Sequence, residues 1–507
     1  MDTTQPKAAD PKKSTRKVQS ITTPPGIGSG SADASHATAP GQPHIGGIKA
    51  WPDDPLGGSL IDRPSPRLDD KTLGITLSGP AGPAATYPVG TANFRYWTAA
   101  EALRRCADYW AARVPSLVWH TSPRLPVNLD EGLDFNAYYD RSSLNFFHGV
   151  TQGATVYSGE SPDIVCHEMG HAILDALKPQ LWNVASHEAA AFHESFGDMS
   201  AILSALQLPS NRTLILAETG SRINGNSRLS RLAEQLSAAI RVQYPDAVER
   251  DCLRNAANRF LYAPPLQLKS SAPVSELSSE PHSFSRVFTG AFLDALAGML
   301  AVTSTHPTEQ DLLKVSADMG DILVAGIRKA SVVSNFYAQV AAGMVSAAAA
   351  AGPSYPRVLK AVFIKRDILS LHSATSVESL GTVAMGMFGA TPEASQNDYA
   401  LVPMAFDGAD YGLGKRPLIV ETPSQPRRIA ASAAANEFGS EQAASSEAAA
   451  RGFFEELFKR GRIDCTGVID EDSRVDPVHG LKTHRLVERQ GAVELQRVLC
   501  DCGLTHD

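Results

Sequence analysis

The chain has few cysteines and no long apolar run, and each shortage argues against a class of protein. Six cysteines in 507 residues are too few for a disulfide framework. No apolar stretch of a secretory signal follows Met1, and no uninterrupted apolar run reaches membrane length, the nearest being residues 340–351. We therefore expect reduced thiols, no membrane partner, and a protein that is cytoplasmic or is exported by a route the sequence does not show.

An excess of positive charge is also missing. The formal net charge is -8 and the isoelectric point is near 6.0, so nucleic acid is not an expected partner. Residues 1–50 have few large apolar side chains and predict a disordered tail, and residues 51–90, rich in proline and glycine, predict an extended arm. The Cys500-x-Cys502 pair does not have zinc-knuckle spacing, and we interpret it as structural or incidental.

What the sequence does contain is an H-E-x-x-H motif on a predicted helix. Ser161 at the N-cap and Pro162 at the first helical position start a helix predicted over residues 162–178. His167 and His171 are four residues apart, so both imidazoles face one side of that helix and can reach a single metal ion. Glu168 is beside the first histidine, where a carboxylate can accept a proton from zinc-bound water.

A second predicted helix, residues 187–206, carries further acidic residues at helical spacing. Glu194 and Asp198 are four residues apart and share one face. A two-histidine zinc site needs a third protein ligand, and a glutamate on a following helix can supply it. The third histidine of the metzincins is excluded, because Leu174 and Leu177 occupy the positions where that class requires glycine and histidine.

With these two motifs the chain resembles the gluzincin zinc peptidases, most closely the thermolysin-like neutral metalloendopeptidases. The resemblance implies one zinc ion held by His167, His171 and Glu194, with Glu168 as general base. It further implies that Asp198 hydrogen-bonds His167 and orients it.

Three other stretches carry the same resemblance. Residues 135–140 resemble the family's edge strand, which implies that Asn136 and Ala137 bind the substrate backbone. The segment that begins at His282 resembles the one whose histidine stabilises the oxyanion, and Arg254 matches an arginine that binds a substrate carbonyl.

The predicted fold class is α+β. The resemblance implies a two-lobed zincin, and local patterns after it predict a small C-terminal α/β appendage. Residues 91–178 are expected to form a short mixed α/β N-terminal lobe that ends in the zinc helix at the floor of the cleft. Residues 179–374 are expected to form an all-α C-terminal lobe. Residues 375–450 are predicted to be an arm and linker, and residues 451–507 the appendage.

The sequence departs from the family in two places. Residues 172–193 contain no tyrosine, which the family uses beside the oxyanion histidine, and His187 or His193 is an alternative donor there. The carboxylates of a calcium site are not evident in residues 201–207, so calcium is not expected. The leading function is zinc-dependent hydrolysis of polypeptides. The alternatives are a weak or inactive peptide-binding protein of the same fold and a hydrolase of a non-protein amide.

Local patterns predict several further elements. Thr98 and Glu101 have capping-box spacing and predict the start of an amphipathic helix that ends before Pro115. Residues 117–120 predict a strand. Residues 135–140 and 144–147 predict a hairpin, and a second hairpin is predicted around Gln490 and Gly491.

Overall fold

The computed structural model describes residues 47–370, 401–424, 443–469 and 481–502, except for positions 57, 70, 71, 80 and 121. All of these belong to the unit Ile45–Asp507. The fold is α+β, with helices and several small sheets. The described α-helices are α1 (Ala92–Arg113), α2 (Pro162–Leu177), α3 (His187–Ala205), α4 (Pro209–Thr219), α5 (Glu234–Ile240), α6 (Pro281–Thr303), α7 (Glu309–Lys329), α8 (Phe336–Ala351), α9 (Tyr355–Lys365) and α10 (Ser446–Lys459).

The strands form two five-stranded sheets and three two-stranded ones within the described residues. In chain order they are β1 (Gly47–Ala50), β2 (Ile61–Pro64), β3 (Gly74–Leu77), β4 (Arg124–Asn128), β5 (Ala137–Tyr139), β6 (Leu144–Phe146), β7 (His148–Thr151), β8 (Ala154–Tyr157), β9 (Arg231–Leu232), β10 (Arg254–Asn255), β11 (Val402–Phe406), β12 (Leu418–Thr422), β13 (Ile463–Asp464), β14 (His484–Arg489), β15 (Ala492–Arg497) and β16 (Cys500–Asp501).

The first large sheet has the order β16-β5-β6-β4-β3. Strands β3, β4 and β6 run parallel to one another. Strand β5 is antiparallel to β6, as the hairpin prediction requires. The buried side chains of this sheet, α1, α2, α3 and α6 to α9 form one continuous hydrophobic core. At its centre Trp110 of α1 stacks on Phe196 of α3, with ring centroids 4.8 Å apart.

The second large sheet has the order β11-β12-β15-β14-β13 and packs against α10. The buried side chains of this sheet and α10 form a second hydrophobic cluster, separate from the main core. Ala185, just before α3, and Ala190, within α3, also belong to this second cluster. The prediction of an arm and linker over residues 375–450 is therefore wrong for residues 402–422, which supply β11 and β12. Two residues at positive φ, Gln490 and Gly491, form the tight turn between β14 and β15 and confirm the second hairpin.

Two local predictions are wrong because distant contacts override them. Thr91, not Thr98, caps α1, and the Thr98 hydroxyl accepts a hydrogen bond from the Trp51 backbone instead. Residues 117–120 are not a strand, and the first strand after α1 is β4, which begins at Arg124. Within residues 117–120 the Trp119 indole donates a hydrogen bond to the carbonyl oxygen of Gly74. The arm predicted over residues 51–90 contains β2 and β3, and β3 is part of the first large sheet.

The helices predicted over residues 162–178 and 187–206 are confirmed as α2 and α3, each one residue shorter at its C-terminus. Residues 179–374 are helical in the main but not all-α, because they also contain the short strands β9 and β10. Among the described helices of 18 or more residues, α6 alone is apolar and long enough to cross a membrane by composition, but 67% of the tested window is buried inside the fold. The predicted tail, residues 1–50, lies outside the described residues except for its last four, which form β1.

Candidate metal centre

Helix α2 carries the two histidines of the motif through the middle of the molecule. Pro162 occupies its first turn, and the helix ends at Leu177, one residue before the predicted end. Ser161 has the extended backbone of an N-cap, but its hydroxyl contacts the carboxylates of Asp54 and Asp163 rather than a free helical N–H. The helix is buried on all sides, so His167 is only 3% exposed.

Helix α3 crosses α2 at two glycines, and this crossing brings the acidic residues to the histidines. A Cβ atom on Gly170 would lie 2.8 Å from the Gly197 Cα. A Cβ on Gly197 would lie 2.6 Å from the His167 ring. Only residues without a side chain allow the two helices to approach this closely. Ser186 caps α3 through the Ala189 backbone N–H, which sets the start of the helix.

The three side chains named from sequence as metal ligands converge in the structure. Glu194 Oε2 lies 3.3 Å from His167 Nε2, and Glu194 Oε1 lies 3.7 Å from His171 Nε2. One ligand atom from each of the three residues lies within 4.8 Å of the others. Both Nε2 atoms and Glu194 Oε2 are buried, and none of them has a hydrogen-bond partner within the described part of the chain.

Buried polar atoms without partners are costly, and three such atoms facing one point are typical of an ion site. Two imidazoles and one carboxylate are the donor set of many catalytic zinc sites. The residues present therefore fit a zinc ion.

Asp198 holds His167 from the other side of its ring. Its Oδ1 lies 2.9 Å from His167 Nδ1. Because a carboxylate only accepts, Nδ1 is the donor, and Nε2 is turned toward Glu194. Arg254 of β10 makes its own hydrogen bonds to Asp198, at 2.9 Å from Nη2. Arg254, which the resemblance assigns to a substrate carbonyl, thus lies beside the carboxylate that orients His167.

The electrostatics follow from these contacts. Burial alone would lower the pKa of His167, but the carboxylates of Asp198 and Glu194 beside the ring raise it to about 9. Burial opposes ionisation of Asp198, yet Arg254 and His167 lower its pKa to about 2. Burial lowers the pKa of His171 well below its ordinary value, so this ring is neutral and able to bind a metal.

The Glu168 carboxyl is 0% exposed, and neither of its oxygens has a hydrogen-bond partner within the described residues. Burial raises its pKa to about 8. A divalent cation nearby would favour its ionised form, because a bound ion is the largest local charge in such a site.

His282 sits at the start of α6 with both ring nitrogens engaged. Nδ1 lies 2.7 Å from Glu280 Oε1, and Nε2 lies 2.6 Å from the backbone carbonyl oxygen of Asp501. Both partners are acceptors, so both nitrogens donate and the ring is an imidazolium. Burial works against this charge, but Glu280 and Glu194 raise the pKa of His282 to about 10.

Two residues are predicted to bind substrate here: Ala137 is the first residue of β5, and Asn136 lies just before it. The Asn136 side chain accepts a hydrogen bond from the Ala137 backbone N–H at 2.8 Å. The Ala137 carbonyl accepts one from the Cys502 backbone N–H at 2.8 Å. The backbone of β5 is thus already paired with another stretch of the same chain.

The two histidines considered as replacements for the missing tyrosine differ in position. His187 is turned away from the centre and contacts Glu456 of α10 at 2.9 Å. His193 is buried beside the centre, with its ring 5.8 Å from that of His171. Of the two, only His193 adjoins the ligand set. The nearby Tyr139 hydroxyl donates to Asp175.

The sequence interpretation missed the two C-terminal cysteines. A ligand atom of Cys502 lies within 4.8 Å of those of His167 and Glu168, and the Cys500 thiol is equally close to His171 and His193. Residues two apart in a strand share one face, so the Cys500-x-Cys502 spacing was the available clue. Nothing local in the sequence connects this pair to α2.

Comparison with known proteins adds no assignment, since no protein-family model and no curated protein matches the chain.

Proposed function

We propose that this chain is a zinc-dependent peptidase of the gluzincin type. The observation that carries the proposal is the convergence of His167, His171 and Glu194 on one buried point, where His167 Nε2, His171 Nε2 and Glu194 Oε2 have no hydrogen-bond partner among the described residues. Glu168 beside them, with an equally unpartnered buried carboxyl, supports a hydrolytic centre over a structural metal site. A structural zinc site has four protein ligands and needs no such base.

The same proposal extends to the architecture. The fold is then a two-lobed zincin, with the β3-to-β6 sheet and α1 on one side and α6 to α9 on the other. Helix α2 forms the floor of the cleft between them, and the C-terminal sheet is an addition to this arrangement.

In this proposal His167, His171 and Glu194 hold zinc, with Asp198 fixing the His167 tautomer. When bound, zinc supplies a Lewis acid that activates water and polarises a carbonyl group. Glu168 takes up a proton at its carboxylate and passes it to the leaving amine. His282 donates its Nε2–H to the carbonyl oxygen on which charge develops, and Glu280 keeps that ring protonated.

The substrate in this proposal is an extended polypeptide. It lies along β5 and pairs with the Ala137 backbone, because an edge strand binds such a peptide through main-chain hydrogen bonds. Asn136 helps to shape that edge by holding the Ala137 N–H.

Metal analysis and a matched pair of substitutions test this function. Glu168→Gln is expected to retain zinc and to lower peptide hydrolysis by about 100-fold or more, since it removes the proton acceptor. Glu188→Gln is the control, because Glu188 is also buried but contacts Tyr262 and Tyr337 instead of the centre. Equal turnover of a casein substrate by Glu168→Gln and the wild type, or purified protein that does not bind zinc, would contradict the proposal.

A further inference from the structure

The edge of β5 is covered by residues 500–502. β16 pairs antiparallel with β5, with Cys500 opposite Tyr139 and Asp501 opposite Tyr138. β5 pairs with β6 on its other side, so β16 occupies the place where an added strand would lie. Cys500, Asp501 and Cys502 are each at most 4% exposed. We call residues 500–502 the C-terminal segment.

The backbone of this segment makes the contacts that the proposed mechanism requires of a substrate. The Asp501 carbonyl oxygen lies 2.6 Å from His282 Nε2, the proposed oxyanion donor. The N–H of the next residue, Cys502, donates to the Ala137 carbonyl at 2.8 Å. The peptide bond between Asp501 and Cys502 is therefore held at its oxygen and at its nitrogen, and the Cys502 thiol faces His167 and Glu168.

The segment is held by the second sheet and not only by the cleft. The Asp501 carboxylate receives two hydrogen bonds from Arg462 Nη2, at 2.8 Å and 2.7 Å, and both side chains are buried. At the end of β15, the Arg497 carbonyl accepts a hydrogen bond from the Trp182 indole at 3.1 Å. These contacts hold Asp501 and the residues just before the segment, so its position does not depend on the β5 pairing alone.

A cleft continues beyond Cys502. A cavity of about 550 Å³ is lined there by Leu253, Arg254, His282, Arg286 and Cys502, among others. This is room for several residues of an extended peptide beyond the position that Cys502 occupies. The segment thus borders an open cavity that Arg254 and His282 also line.

We propose that the C-terminal segment is an intramolecular inhibitor that binds the edge of β5 as a substrate-like strand. A peptide substrate then competes with residues 500–502 for the Ala137 backbone and for His282. That the segment inhibits the protein rests on the proposed peptidase function. That the edge of β5 binds a peptide strand does not rest on it. An inhibitor on the same chain acts at a high effective concentration, so it keeps most molecules closed without tight binding.

Two truncations form a matched test. A chain that stops after Leu499 lacks the segment, and a chain that stops after Cys502 keeps it. We expect the first to hydrolyse casein at least about tenfold faster than the second, because its cleft is open. Arg462→Gln in the full chain is a second variant that leaves the segment sequence intact; it removes the anchor of Asp501 and is expected to raise turnover by a smaller factor.

A binding measurement separates this inference from the function. A fluorescein-labelled peptide of the sequence 497–502 is expected to bind the chain that stops after Leu499 and not the chain that stops after Cys502. Binding without hydrolysis by any variant supports the substrate-like binding of residues 500–502 at β5, but it overturns the peptidase proposal and with it the inhibitory consequence. Equal hydrolysis by both truncations, together with no peptide binding, overturns the inference and leaves the peptidase proposal standing. A purified zinc-loaded chain whose mass ends at Asp501 also overturns it, because the segment is then a substrate.

Discussion

Gly197→Ala tests whether the crossing of α2 and α3 positions the proposed metal ligands. The new Cβ would lie 2.6 Å from both Nδ1 and Cε1 of His167 and 2.8 Å from its Cγ. Ordinary contact begins at 3.4 Å, so the ring has to recede by about 0.8 Å. The ring has little room, because the same Nδ1 is hydrogen-bonded to Asp198 at 2.9 Å.

The expected loss follows from the tolerance of metal coordination. Ligand distances in working sites hold to within about 0.2 Å, which is well below the required displacement. Disturbing the group that orients a ligand histidine typically lowers metal affinity by about 10-fold to 100-fold. That corresponds to about 1.4 to 2.7 kcal/mol of binding free energy. In saturating zinc, the gain in unfolding free energy on adding zinc is expected to shrink by the same amount.

Stability without zinc changes less. Alanine is favoured over glycine within a helix by about 1 kcal/mol, and overpacking costs about 1 to 3 kcal/mol. Urea unfolding of the metal-free protein is therefore expected to show a net loss of about 0 to 2 kcal/mol. The zinc-dependent part is the sharper readout.

The assay is urea unfolding with and without zinc, together with zinc affinity by chelator competition. Gly298→Ala in α6 is the matched control, since its Cβ would meet one side-chain atom, the Cγ1 of Val358, at 2.5 Å. It changes the same residue type in a helix but does not touch the metal centre. If Gly197→Ala binds zinc as tightly as the wild type and gains as much stability from it, the helix crossing does not set the ligand geometry.

Three further predictions concern buried charged side chains, two of them beside the centre and one away from it. Asp198→Asn leaves the buried Arg254 without its charge partner, so we expect zinc affinity about 10-fold to 100-fold lower and a loss of unfolding free energy of about 3 kcal/mol. His282→Gln removes a charged donor and is expected to lower kcat of the chain that stops after Leu499 by about 100-fold to 1,000-fold, with little change in zinc affinity. For Glu188, burial raises the pKa to about 7, so the folded chain keeps a proton that the unfolded chain loses. Stability therefore falls by up to about 3 kcal/mol between pH 4.5 and 7, and Glu188→Gln is expected to lack this loss in urea unfolding across that range.

Each of these has an outcome that would contradict it. Wild-type zinc affinity in Asp198→Asn would mean that Asp198 does not orient His167. A change in KM alone for His282→Gln would limit this residue to substrate binding. Parallel pH profiles of stability for Glu188→Gln and the wild type would mean that Glu188 is ionised in the folded chain at pH 5.

The local elements of the centre were predictable from the sequence because their causes are local. The four-residue spacing of His167 and His171 depends only on helix periodicity, and Pro162 marks the start of α2. The same holds for the hairpin at Gln490, where two residues at positive φ fit a two-residue turn.

Two local predictions were wrong because a partner elsewhere in the chain decided the outcome. Thr98 has the sequence pattern of a cap, but its hydroxyl accepts a hydrogen bond from the Trp51 backbone, and α1 begins about two turns earlier, after Thr91. Strand β12 was predicted to be part of a linker because its own sequence does not show its partner. It is stabilised by pairing with β15, whose residues come about 75 positions later.

The sequence by itself determined which helices carry His167, His171 and Glu194, the proposed nitrogen and oxygen ligands. Only the tertiary structure decided that Arg254 lies beside Asp198, and that residues 500–502 cover β5, more than 350 positions earlier in the chain. The physical reason is that a two-residue strand has almost no intrinsic preference for being a strand. Its position is fixed by the backbone groups of Ala137 and by the Arg462 side chain that it meets after folding.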